Sequence, residues 1–156
     1  MQIDRNFIEY VGINAPMCGT DNVLTFKEFN ISEMLELPIC LCDISNILKA
    51  AVSVNITNKQ IFKTPIATSA EGQSLTGLKI GIEGEIDTKL TYIEDSAPKS
   101  INVLNYKSKF YVSTPIPDYI KNINSLLINV YIENINVQKV DDDMLSENLV
   151  LLLTIE

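Results

Sequence analysis

Between residues 78 and 92 apolar side chains recur at every second position. Leu78, Ile80, Ile82, Ile86, Leu90 and Tyr92 share the even phase, while Lys79, Glu83, Glu85, Asp87 and Lys89 occupy the odd one. Side chains on a β-strand point alternately to opposite faces, so this pattern commits the segment to a long antiparallel strand with one buried and one wet face. Gly84 falls on the apolar phase halfway along and predicts a bend or bulge where one long strand serves two sheets or curves round a barrel.

The same period runs through much of the chain. Val52, Val54 and Ile56 alternate with Ser53, Asn55 and Thr57 and end at Asn58-Lys59, which reads as a hairpin turn into residues 60–63. Leu126, Ile128, Val130 and Ile132 keep the even phase, whereas Ile135 and Val137 are odd. The slip at Glu133-Asn134 is the trace of a β-bulge. Asp141-Asp142-Asp143 then separates this strand from residues 149–155, which are too apolar on both faces for an exposed edge and belong in the centre of a sheet. Strand-like runs also occur at residues 23–29, 101–106 and 109–113.

One good helical candidate and a second, weaker one stand out. One covers residues 43–49, with Asp43 as N-cap and Ile44, Ile47 and Leu48 on one face, and the other covers residues 117–121. The fold class is therefore all-β, an antiparallel β-sandwich or barrel with one or two short helical turns. The sharpest boundary lies near Leu37-Pro38. It divides residues 1–36, an N-terminal arm or additional edge strands, from a β domain over residues 37–156.

A chain of 156 residues, 46% hydrophobic and 21% charged, has room for one domain with a sizeable core. Its 12 Lys and Arg against 20 Asp and Glu leave a formal charge of -8, without the basic footprint that a phosphate backbone or anionic lipid requires. Neither nucleic acid nor membrane insertion is expected. No apolar run is long enough to cross a bilayer, and residues 1–10 lack the basic-then-apolar layout of a secretory signal, so use without Sec export is expected. The sequence contains no His, which removes the commonest general base, the commonest metal ligand and every Ser-His or Cys-His arrangement. No catalytic residue, metal or cofactor is assigned, and the chain is read as a non-enzyme.

Three candidate clusters have simpler explanations. Glu83, Glu85 and Asp87 could supply paired carboxylates for acid–base work, but Lys79 and Lys89 share their face, and cross-strand charge pairing on a wet surface accounts for them. Asp141-Asp142-Asp143 lacks the Gly and the bidentate Glu of a calcium loop and reads as a solvated hairpin turn. The glycines of residues 69–77 are followed by no Gly-Lys-Ser/Thr ending, so a flexible loop is expected there.

The cysteines carry more. Cys18, Cys40 and Cys42 are odd in number and cannot all pair within one chain; reduced thiols are the simplest reading. In an extended segment Cys40 and Cys42 project from one face, where a mutual disulfide would be strained but bridges to neighbouring subunits are feasible. Cys18, Cys40 and Cys42 are accordingly the candidate intermolecular cross-links.

Several stretches carry a family resemblance. In order they are Leu37-Pro38 with Asp43-Ile44 and Ile47, then Ile61-Phe62-Lys63-Thr64-Pro65, then the run from Glu71-Gly72-Gln73 through Gly81, Gly84 and Ile86. Leu90-Thr91-Tyr92-Ile93, Val130-Tyr131-Ile132-Glu133-Asn134-Ile135 and Val150-Leu151-Leu152-Leu153 follow. Together they resemble the SPOCS domain family of spore-forming Firmicutes, whose most specific piece here is Gly72-Gln73 through Gly84. The resemblance implies a non-enzymatic β domain for protein–protein contact in the spore envelope. A longer relative carries a LysM module and helps dock the coat's morphogenetic ATPase on the forespore. This chain differs in having Ile101-Asn102-Val103 and Thr114-Pro115-Ile116-Pro117 where relatives carry Val-His and Pro-Phe-Ser patterns, and its residues hold no LysM module.

The expectation that follows is a short spore coat or spore surface structural protein. It would be made in the mother-cell cytoplasm and would contact copies of itself, other spore coat proteins, or both. A monomeric adaptor for a coat morphogenetic protein is the second reading, and a small-ligand or carbohydrate-binding domain the third.

Overall fold

The alternating segment forms the spine of the molecule. In the computed structural model, which describes residues 7–14, 22–39, 41 and 43–156, it lies within β4 (Ser74–Glu94). The other strands are β1 (Glu9–Val11), β2 (Thr25–Glu36), β3 (Ile44–Thr68), β5 (Ile101–Pro115), β6 (Ile128–Asp141) and β7 (Met144–Ile155). They build two sheets, ordered β1-β3-β4-β5 and β2-β7-β6, in which every pairing is antiparallel except that of β1 with β3.

The even-phase residues of β4 face the odd-phase residues of β7. Ile80, Ile82, Ile86, Leu90 and Tyr92 on one sheet and Leu145, Leu149, Leu151, Leu153 and Ile155 on the other are all essentially solvent-free. Each fully buried aliphatic side chain contributes about 2 kcal/mol, which makes this central pair of strands the main source of stability. β7 is the middle strand of its sheet, as its two apolar faces require. The hairpin into it turns at Asp142 and Asp143, where Asp142 N donates to Asp141 Oδ1 and Lys139 Nζ to Asp142 Oδ1.

The predicted helix over residues 43–49 is instead the start of β3. Register shifts between Ile44 and Asn46 and between Ile47 and Lys49 insert two extra residues against β4. These bulges place Ile44, Ile47 and Ala50 three apart on the inner side, which mimics a helical face. The predicted hairpin at Asn58-Lys59 is likewise a bulge in an uninterrupted strand, and the chain reverses only at residues 69–73. There Gly72 N donates to Ser69 O and Gln73 N to Ser69 Oγ, so the expected loop is a tight hairpin turn. Asn58 bonds the next backbone N–H, a local turn-like contact that β3 accommodates because β4 continues alongside.

Residues 117–121 form a turn, Ile120 N donating to Pro117 O, and the short 3-10 helix follows at Ile123–Ser125, capped by Asn122. The runs at 101–106 and 109–113 merge into β5, and the run from residue 23 extends into the whole of β2. The bulge at Glu133 is present, between Ile132 and Asn134. Gly84 answers a close approach: a Cβ there would stand 2.3 Å from the Phe110 ring and 2.8 Å from Asn55 O. β2 pairs with β7 along its whole length, from Thr25 opposite Ile155 to Glu36 opposite Met144, and forms one edge of its sheet.

Candidate interaction surface

Two sheets packed face to face leave two long sides, and here they differ. On the β3–β6 side, residues 9–14 bridge the sheets. Glu9, Tyr10 and Val11 add to β3 as a parallel strand, and the chain then reaches β6, where Asn14 N donates to Ile132 O at 2.8 Å. Ile132 N donates back to Asn14 Oδ1 at 2.6 Å. The Tyr10 hydroxyl accepts from Val137 N at 3.1 Å and donates, at a longer 3.4 Å, to Val137 O. The Glu133 bulge makes this possible. Ile132 and Val137 are an odd number of residues apart, and only the inserted residue turns both backbone units to the same edge.

On the β2–β5 side no backbone hydrogen bond joins the strands among the described residues. Three side-chain contacts cross instead. Lys27 Nζ donates to Ser113 O at 2.9 Å, Tyr106 Oη donates to Glu36 O at 3.0 Å, and the rings of Phe29 and Phe110 meet at 5.5 Å. Antiparallel ladders use alternate residues, so the outward carbonyl of Ser113 means that Lys109 and Tyr111 also turn their N–H and C=O away from β4. By the same rule, the outward carbonyl of Glu36 places those of Asn30, Ser32 and Met34 on the free edge of β2. Two strand edges without backbone partners among the described residues thus face one another across an open seam.

A groove of about 530 Å³ runs along this seam between Phe29–Ser32 and Lys109–Ser113. Past Lys27 it meets a recess of about 700 Å³ beneath the tip of the β3–β4 hairpin, with Leu75, Lys79 and Pro115 among its walls. Neither lining includes an Asp or Glu, and both include Lys27. Among the described residues no carboxylate stands within ion-pair distance of Lys27, Lys79 or Lys109. A third recess, about 670 Å³, crosses the outer face of the larger sheet near Asp87 and Lys107. There β4 is paired on both sides and offers no free backbone groups.

Behind the seam lies a polar feature that sequence reasoning missed. Glu147 on β7 is 2% exposed, faces the opposite sheet and accepts a hydrogen bond from Thr88 Oγ1 at 3.0 Å. Its Oε2 has no hydrogen-bond partner among the described residues. Burial raises its pKa, the Thr88 hydrogen bond opposes that rise, and the Glu33 carboxylate, directly across on β2, adds to it. Tyr106 is also raised, by burial and by the neighbouring Tyr92. The signal was available, since Glu147 occupies the same odd phase as Leu145, Leu149 and Leu151.

The residues singled out in the sequence fall elsewhere. Glu83, Glu85 and Asp87 lie on the outer face of β4, where Lys107 pairs with Asp87 at 3.5 Å, Lys109 stands opposite Glu85, and Asn58 Nδ2 donates to Glu83. Cys18, Cys40 and Cys42 lie outside the described residues. Among the described residues no group of three or more Cys, Asp or Glu is arranged to hold a metal ion, and no helix is long and apolar enough to cross a membrane.

Comparison with curated proteins and with solved structures finds no match. The family model for the SipL, SPOCS domain matches residues 43–140, from the start of β3 to the end of β6. That span holds the alternating strand, the β3–β4 hairpin and the bulged β6. On that match, which covers more than half of the chain, the protein belongs to the SipL, SPOCS domain family, whose name associates it with sporulation.

Proposed function

We propose that this chain is a non-catalytic β domain of the spore envelope whose work is protein–protein contact, made along the open β2–β5 side. The observation that supports this is the pair of unpaired edges on one side of a sandwich whose other side is bridged by residues 9–14. Free strand edges recruit another extended chain through main-chain hydrogen bonds and need no dedicated pocket. The exposed apolar side chains Phe26, Met34, Ile101, Val103 and Tyr111 on these two strands add contact area.

In the first form of this reading, copies join one another, with Cys18, Cys40 and Cys42 as cross-links. In the second, the chain is an adaptor for another coat protein. Lys27 favours the second, because a lysine on the inner phase of an edge strand discourages pairing with an identical edge. Light scattering over a concentration series, with and without reductant, tests both. Growth of large particles that is lost in a Cys18, Cys40 and Cys42 to Ser variant supports a cross-linked subunit. A constant 17.4 kDa species selects the adaptor. The contact reading itself fails if blocking the edges alters no interaction: Asn105→Pro on β5, with Ser32→Pro on β2, must abolish either the assembly or the capture of a coat protein from spore extracts.

A further inference from the structure

We infer that the β2–β5 groove takes an extended, acidic polypeptide segment as its ligand, bound as an added strand along β5. This rests on the protein-contact reading and specifies the chemistry of the partner.

The extended conformation follows from the backbone. The outward N–H and C=O groups of Lys109, Tyr111 and Ser113 repeat along one line at the spacing of a strand, and only another strand presents partners at that spacing. One of those acceptors, Ser113 O, is occupied by the Lys27 ammonium. An incoming backbone N–H takes the place of that contact, and the freed ammonium then lies beside the new strand, where an acidic side chain restores its partner.

Charge follows from the lining. In a chain of net charge -8, the groove and the recess that continues it carry Lys27, Lys79 and Lys109 and no carboxylate. Lys109 shares the outer face of the larger sheet with Glu85, its cross-strand neighbour, and the two form no ion pair, so its ammonium stays available at the rim of the groove. Such a local excess of positive charge favours Asp- or Glu-bearing segments and repels basic ones. A second copy of this chain is a poorer occupant, since its own edges bring the same lysines.

Apolar positions alternate with the acidic ones. Phe29, Phe110 and Val112 form the groove's floor, and Leu75 and Pro115 line the recess beyond Lys27. A strand with one face apolar and the other acidic matches both the floor and the rim.

The test uses a fluorescein-labelled peptide of alternating Val and Glu, its Val and Lys counterpart, and the full chain. Anisotropy should show binding of the acidic peptide, weakened by added salt, and none of the basic one. The double variant Lys27→Glu with Lys109→Glu should weaken binding at least about tenfold, since like charges at an interface repel strongly, and should do so more than Lys27→Met with Lys109→Met, which loses the same Lys27–Ser113 contact without reversing charge. Hydrogen exchange should slow at the amides of Lys109, Tyr111 and Ser113 on addition of the acidic peptide. Equal binding of both peptides, insensitivity to the charge reversal, or binding without protection of those three amides overturns the inference. If the acidic peptide does not bind while edge-blocked variants still lose assembly or coat-protein capture, this assignment falls and the contact reading stands. If neither effect is seen, both fall.

Discussion

The two long sides of the sandwich meet the same problem, an exposed row of backbone groups, in opposite ways. On the β3–β6 side a short segment supplies a strand to one sheet and side-chain surrogates to the other. Tyr10 bonds both the N–H and the C=O of Val137, and Asn14 does the same for Ile132. On the β2–β5 side, Lys27, Tyr106 and the Phe29–Phe110 pair hold the strands near each other and leave most of their edge groups without partners among the described residues. On the first side the edge groups of Ile132 and Val137 are all occupied from within the chain. A lysine and two rings leave edge groups free for a competing strand, and that contrast is the basis for proposing partners on the open side.

The largest expected effect tests how much the open side depends on its aromatic contact. Phe110→Ala empties a site against Gly84 and Phe29 and should cost about 3–5 kcal/mol, read as a lower urea midpoint. A loss below about 1 kcal/mol would mean that the seam is held by its polar bridges. On the closed side, Gly12 has φ of +113°, and a Cβ there would lie 2.0 Å from Val52 O. Gly12→Ala should therefore cost about 2–3 kcal/mol, through left-handed strain and displacement of residues 9–14, and should expose the amides of Ile132 and Val137 to rapid exchange. Unchanged exchange at those two amides would remove the bridging role of this segment.

Tyr10→Phe is a sharper probe of the same closure. It removes one hydroxyl and leaves Val137 N–H without its partner, for about 1–2 kcal/mol in thermal or urea unfolding.

Glu147 provides a pH test behind the open side. Its pKa is raised in the folded state by burial, so the native protein holds this proton at pH values where the unfolded chain has released it. The contribution to stability is complete below the ordinary carboxylate value of 4.5 and is lost as pH rises through the raised value. Glu147→Gln keeps an acceptor for Thr88 and should flatten that decline, with an advantage over the wild type in urea midpoints that grows as pH rises above the ordinary carboxylate value of 4.5. Parallel pH profiles for the two proteins would show that the site stays hydrated. The smallest effect belongs to the outer face: Lys107→Ala breaks an exposed pair with Asp87 and should change stability by less than about 0.5 kcal/mol.

Much of this architecture was legible in particular residues. The alternation from Leu78 to Tyr92 required β4, the phase slip at Glu133 required a bulge, and the two apolar faces of residues 149–155 required a central strand. Local spacing misled where β3 is bulged. Ile44, Ile47 and Leu48 imitate a helix, and Asn58-Lys59 imitates a turn, because a bulge changes the period of a strand without ending it. Spacing records which side chains need burial; the register against β4 decides how the backbone supplies it.

The candidate surface was less legible than the fold. Acidic clusters and cysteines stand out in a sequence because their chemistry is local, and they drew attention to the outer face of β4 and to residues 18, 40 and 42. The open seam has no such signature. Lys27 and Ser113, or Phe29 and Phe110, are far apart in the chain and meet only after both sheets are formed. By itself the sequence determined β4, the bulged β6, the central β7 and the family, since these follow from side-chain period and order. Which edges are bridged, which stay open, and which carboxylate is buried were decided only by the packing of one sheet on the other. Hydrogen-bond saturation of a strand edge is a property of its spatial neighbours.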